Sequence, residues 1–321
     1  MSQLGREPHV ITLISRRHCL ALLSAGAALG ATTHHAFAQP VPWSSGTAAP
    51  SIAVPPNATD CHHHIYDSRF PPAPSATLRP PDASVDNYRQ LQRRLGLARN
   101  VVVQPSTYGT DNRLLVESVK AFGNNARGIA MLDATVTTDE IKRLHAIGIR
   151  GVRFGTRLPG GAPIDDLAPV ARKIAEFGWH IQLVSDGDKI VELKDTLEGL
   201  PVPVVFDHMG HLPEPAGPDH PAFGVIARLI ETRGAWVKLT GAYILSKSGA
   251  PTYADRNRLA RAFVKLAPER LVWGSDWPHP TSPADAKPDD AVLLDLLAVS
   301  APDAKLQAQI LVDNPAALYG F

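Results

Sequence analysis

Two histidines two residues apart, His62 and His64, stand in a run with strand character, so both imidazoles leave one face while His63 leaves the other. Two imidazoles on one face suit a metal ion, or a cluster of hydrogen-bond donors around a substrate carbonyl. His208 and Asp276 each directly follow a further apolar run. A single strand-end His or Asp is commonly a helix cap or a satisfied polar group. Four such groups on three strands can meet at one mouth, where a carboxylate suits a general base toward water and the histidines suit stabilisation of an oxyanion. Arg153 and Arg157, in and after the fourth run, offer guanidinium forks for carboxylate or sulfonate groups. Ser106 and Tyr108 after the second run, Gln182 in the fifth and His279 after the eighth are placed to bond a ligand or to support its contacts.

Those groups need a scaffold, and the chain offers a repetitive one. Short apolar runs recur at 58–65, 100–104, 128–132, 151–154, 180–184, 202–206, 236–239 and 271–273. Between them, stretches with helical spacing occupy 85–95, 113–122, 139–146, 167–177, 190–197, 222–231 and 256–266. Eight Val/Ile/Leu-rich strands alternating with helices predict a parallel sheet covered on both faces, and eight units predict a closed (β/α)8 TIM barrel. No Gly-rich phosphate loop follows the first run, which weighs against a doubly wound dinucleotide fold. Barrel sites lie at the C-terminal ends of the strands, where the polar residues named above fall.

The remaining sequence sets the context. Residues 1–38 read as an export leader: paired Arg16 and Arg17, an apolar run to Ala31, then Ala36-Phe37-Ala38. The order resembles a twin-arginine signal peptide, which places the mature protein in the periplasm; the apolar run is too short for a stable membrane anchor. Residues 39–57, rich in Pro, Ala and Ser, read as a flexible linker, and the barrel is expected over 58–321. The whole chain of 321 residues carries 32 Lys and Arg against 31 Asp and Glu. Without its leader, 283 residues hold 29 basic and 30 acidic side chains and one cysteine, Cys61. That balance excludes a basic nucleic-acid footprint, and one cysteine excludes an internal disulfide. A homo-oligomer is compatible with this composition.

Three motifs carry a family likeness. Asp60-Cys61-His62-His63-His64-Ile65-Tyr66-Asp67, Phe206-Asp207-His208-Met209-Gly210 and Trp273-Gly274-Ser275-Asp276-Trp277-Pro278-His279 resemble the amidohydrolase superfamily, in its amidohydrolase-related branch that contains pyrone-dicarboxylate lactonases and sulfomuconolactone hydrolases. Residues 101–106, 108–112 and 151–154 are similar to the same group. The resemblance implies a barrel hydrolase opening a small, dianionic lactone in aromatic-compound catabolism, with Asp276, His62, His64 and His208 catalytic. Metal-dependent members carry Lys or Glu on the fourth strand and His on the fifth, where this chain has Arg153 and Gln182. The resemblance therefore implies no strictly required cofactor, or one Zn²⁺ on His62, His64, His208 and Asp276. A zinc-dependent decarboxylase of aromatic or unsaturated acids is the alternative within the branch. A two-lobed binding protein is the alternative outside it, and has no use for this constellation.

Overall fold

The protein is described from a computed structural model covering residues 40–321. The leader expected over 1–38 lies outside the described residues. Eight strands, β1 (Thr59–His63), β2 (Arg99–Val103), β3 (Ala126–Ala130), β4 (Ile149–Gly155), β5 (His180–Val184), β6 (Val204–Phe206), β7 (Trp236–Leu239) and β8 (Leu271–Trp273), follow one another in sequence order around a single sheet. Each neighbouring pair from β1–β2 to β7–β8 is parallel. Helices fill the intervals, and the result is a nearly closed (β/α)8 barrel.

The helices form where the sequence punctuates them. Ser84 caps Val85–Leu95 through a capping box with Asn87, and Gly96 ends it in the left-handed conformation with φ 71°. The helix expected over 190–197 is two short ones, Gly187–Glu192 and Lys194–Glu198, broken at Leu193. The helix Asp290–Ser300 was not expected, because its residues are apolar nearly all round and show no single face.

One side of each strand packs on the helices; the other points inward. Val101, Val103, Ile129, Val205, Trp236 and Val272 fill the barrel interior over Tyr319. Above them the inward positions turn polar: Arg153, Gln182, Asp207 and Lys238 are all buried. The β1–β2 register shifts between Asp60 and His63. His63 turns outward to stack on Tyr88 at 3.6 Å, while His62 turns inward.

The seam between β8 and β1 is joined just beyond the strands. The Asp276 amide donates to His62 O at 2.7 Å, and the His64 amide donates to Trp277 O at 2.8 Å. Asp60 completes the join, accepting from the Ser275 amide at 3.0 Å and the Ser275 hydroxyl at 2.6 Å. Burial pushes the Asp60 carboxyl up to about 6, against the pull of those donors.

Residues 40–57, expected to be a flexible linker, carry no helix or strand but lie against the barrel. Val41 is buried, and the Trp277 indole donates to Pro42 O at 2.8 Å. Composition is silent on backbone groups that find partners elsewhere. Among the described residues no helix is long and apolar enough to cross a membrane.

Candidate active site

The floor of the site is a buried charge cluster around Asp207, the residue that follows β6. Its Oδ2 accepts from Arg153 Nε at 3.2 Å and from Gln182 Nε2 at 3.1 Å. Its Oδ1 lies 3.2 Å from His62 Nδ1 and 3.8 Å from Lys238 Nζ, neither in line for a hydrogen bond. Lys238 donates to Cys61 O at 2.8 Å and to Gln182 Oε1 at 2.7 Å, and lies 3.4 Å from His62 Nδ1. Burial lowers the Lys238 ammonium to about 8 while Asp207 resists that shift. Burial raises the Asp207 carboxyl, yet His62, Lys238 and Arg153 outweigh it and hold the group well below the usual carboxylate range.

On this floor the four candidate groups converge. His62 Nε2 and His64 Nε2 are 3.3 Å apart, and Asp276 Oδ1 lies 3.5 Å from the first and 3.4 Å from the second. His64 Nδ1 is 2.8 Å from Val103 O, which fixes its proton there and bares Nε2 toward Asp276. Tyr243 donates its hydroxyl to Asp276 Oδ2 at 2.7 Å, leaving Oδ1 for the histidines. Burial raises the Asp276 carboxyl, but His208, His64 and His62 outweigh it and keep it well below its ordinary value. The His208 ring lies 4.8 Å from the His62 ring, tilted by 50°, and is lowered chiefly by burial. Its Nδ1 is 2.6 Å from Thr240 Oγ1; a threonine proton given to Nδ1 leaves Nε2–H for the cavity that His208 lines.

The triangle of His62, His64 and Asp276 fits one metal ion. Ligand bonds of about 2.0–2.2 Å in a tetrahedron put ligand atoms roughly 3.3–3.6 Å apart, which spans the three separations here. Asp207 and Val103 O stand behind the two imidazoles, as orienting groups do in such centres. A second set, His62, Asp207 and His208, shares His62 with the first. Arg153 and Lys238 bring two positive charges to Asp207, which opposes a second ion.

Backbone strain gathers at the same place. Asp276 has φ 63°, His279 54°, His208 51°, Met209 57° and His211 46°, five of the eight non-glycine residues with positive φ among those described. Each L-residue held in that region costs about 1–2 kcal/mol, and such outliers persist where surrounding bonds over-determine them. The left-handed turn from His208 through Gly210 carries both His208 and His211 onto the cavity wall, their rings 4.9 Å apart.

A cavity of about 730 Å³, open mouth included, lies over these groups. Of the expected residues it is lined by His64, His208, Asp276, Arg153, Arg157 and Ser106. His62 is buried directly beneath, in contact with Asp276 and His64. Arg157 also pairs with Asp186. Three expected ligand contacts lie elsewhere. Tyr108 grips the loop after β1, its hydroxyl accepting from the Asp67 amide at 2.8 Å and donating to Asp67 O at 3.1 Å. Gln182 is spent on Asp207 and Lys238 in the floor. His279 is fully buried 3.0 Å from Asp290 and meets Tyr243 edge-on, so it backs the partner of Asp276 and does not touch the cavity.

Sequence reasoning passed over four residues. Lys238 carried a signal, a lysine in a buried strand. Tyr243 carried none. Tyr66 and His211 line the cavity; the Tyr66 hydroxyl and both His211 ring nitrogens are buried without a hydrogen-bond partner among the described residues.

Residues 59–321 match the amidohydrolase family. The chain is 37% identical over 289 residues to a 2-pyrone-4,6-dicarboxylate hydrolase of Comamonas testosteroni, covering 86% of this chain and 94% of that one. It is 37% identical over 277 residues to a 4-sulfomuconolactone hydrolase of Rhizobium radiobacter, covering 84% and 92%. Among solved structures, a probable 2-pyrone-4,6-dicarboxylic acid hydrolase of Acinetobacter baumannii with citric acid bound superimposes with a TM-score of 0.71 at 26% identity, covering 83% of this chain and 100% of that one. The geometry of the barrel mouth and these matches agree: the chain belongs to the amidohydrolase family.

Proposed function

We propose that the protein hydrolyses a small, dianionic lactone. One observation carries the reading: the Asp276 carboxylate, held by Tyr243 and flanked by two imidazoles, faces a cavity whose wall bears two guanidiniums. Arg153 and Arg157 bind the substrate anions, and Asp276 takes a proton from water as that water attacks the ring carbonyl. His208, with Nε2–H free, stabilises the oxyanion. The unpartnered Tyr66 and His211 supply further polar contacts. One metal ion on His62, His64 and Asp276 would supply Lewis-acid polarisation of the carbonyl. Relatives named as pyrone-dicarboxylate and sulfomuconolactone hydrolases support the lactone class.

The test is a panel of neutral, monoanionic and dianionic lactones assayed by proton release, with metal content measured on the same sample. Ring opening of the dianionic members, with at most one metal equivalent bound, is expected. No turnover of any lactone would overturn the proposal, and CO₂ release from an unsaturated acid would put the metal-dependent decarboxylase in its place. We further place the enzyme in the periplasm on the order of residues 1–38; activity confined to the cytoplasmic fraction would refute that.

A further inference from the structure

Residues 41–48 precede the family match, which begins at 59, yet they reach the segment that carries Asp276. That segment runs from β8 to the helix Asp290–Ser300 and presents Asp276, Pro280 and Thr281 to the cavity. The N-terminal stretch ties it at both ends. At the near end the fully buried Trp277, next to Asp276, donates its indole N–H to Pro42 O at 2.8 Å. At the far end the Ser45 amide donates to Pro288 O at 3.0 Å, and the Asp290 amide donates to Ser44 Oγ at 3.3 Å. Asp290 in turn holds His279.

The stretch is itself fastened. Arg94 donates to Ala48 O at 2.8 Å, Ser45 O at 3.0 Å and Ser44 Oγ at 3.1 Å, and pairs with Asp289. Gly46, with φ 69°, passes so close to the Asp289 carboxylate that a larger residue there would strain the backbone and displace that side chain.

We propose that residues 41–48 form a strap that positions Asp276. The carboxylate sits on a strained backbone, which holds its place only while its neighbours are fixed. Trp277 is such a neighbour: its carbonyl accepts from His64, its amide donates to Ser275 Oγ at 3.0 Å, and its indole is held by the strap. The strap thus acts on the reacting carboxylate through bonds, without entering the cavity.

Arg94→Met and Gly46→Val in the full chain release the strap from two sides and touch no group at the mouth. Amide hydrogen exchange and steady-state kinetics read the effect. Faster exchange across 274–289, with the interior strands unchanged, is expected in both variants. On a lactone the enzyme opens, kcat falls about tenfold, the equivalent of one hydrogen bond, while KM stays within about twofold. Released exchange in 41–48 with 274–289 still protected overturns the proposal, and so does faster exchange spread evenly through the barrel. The kinetic arm rests on the lactonase reading. The exchange arm does not, so a failed substrate assignment and a failed strap are told apart.

Discussion

Tyr243→Phe isolates the control of Asp276. The variant removes one oxygen, and with it the 2.7 Å bond to Asp276 Oδ2, while the ring keeps its edge-on contact with His279. A hydrogen bond to an ionised group contributes about 1.5–3 kcal/mol, and one pKa unit corresponds to about 1.36 kcal/mol. The donor favours the charged carboxylate, so its loss raises the Asp276 pKa. Asp276 starts well below its ordinary value, so it remains ionised at neutral pH. The acid limb of kcat/KM is therefore expected to move up by about one to two pH units, with KM at pH 8 within about twofold because Tyr243 does not line the cavity. Product measured by chromatography over a range that reaches well below pH 4, where the wild-type limb lies, avoids a pH-dependent signal. A rate lowered by the same factor at every pH, with the limb in place, would refute this account.

Arg153→Met should raise KM for a dianionic lactone about 10- to 100-fold, the worth of a charge-assisted fork, and leave a neutral lactone nearly unaffected; equal losses on both would remove its anchoring role. His211→Phe discards two buried nitrogens that have no partner, so the melting temperature should hold or rise while kcat/KM falls about tenfold; a clear fall in stability would show that His211 serves the fold. His180 is buried at the start of β5 and lowered from 6.5 to about 3, chiefly by burial. Its folded form stays neutral while the unfolded chain takes up a proton, so its contribution is present above pH 6.5 and is lost as pH falls toward 3. Between pH 7 and pH 5 that loss is about 2 kcal/mol, and urea titrations should show a fall in stability over that range smaller by about this amount in His180→Gln than in the wild type.

The strands were legible because parallel strands buried on both faces must be apolar, and the same eight runs recur at β1 to β8. His62, His64, His208 and Asp276 were legible because period two and strand ends fix direction before any contact is known. What escaped depended on partners far away in sequence. Gln182 and Tyr108 have the chemistry of ligand contacts, but Lys238, Asp207 and the Asp67 backbone claim them first. His279 stands three residues from Asp276, yet Asp290 turns it away from the cavity. Lys238 is visible in the sequence as a lysine, not as an ammonium sealed in a barrel. The docking of residues 41–48 rests on backbone carbonyls and amides, which every sequence possesses and none advertises.

The seam between the first and last strands has a consequence for how this enzyme fails. The Asp276 and His64 amides that join the two ends of the sheet belong to the residues at the reactive centre. Opening of the cylinder at this seam therefore takes the geometry around Asp276 and His64 with it. Heat inactivation should come no later than the calorimetric transition, and a ligand that settles the mouth should protect the whole domain, by an amount set by its concentration relative to Kd. A barrel whose ends are sewn together by residues of its candidate site ties the shape of that site to the closure of the cylinder.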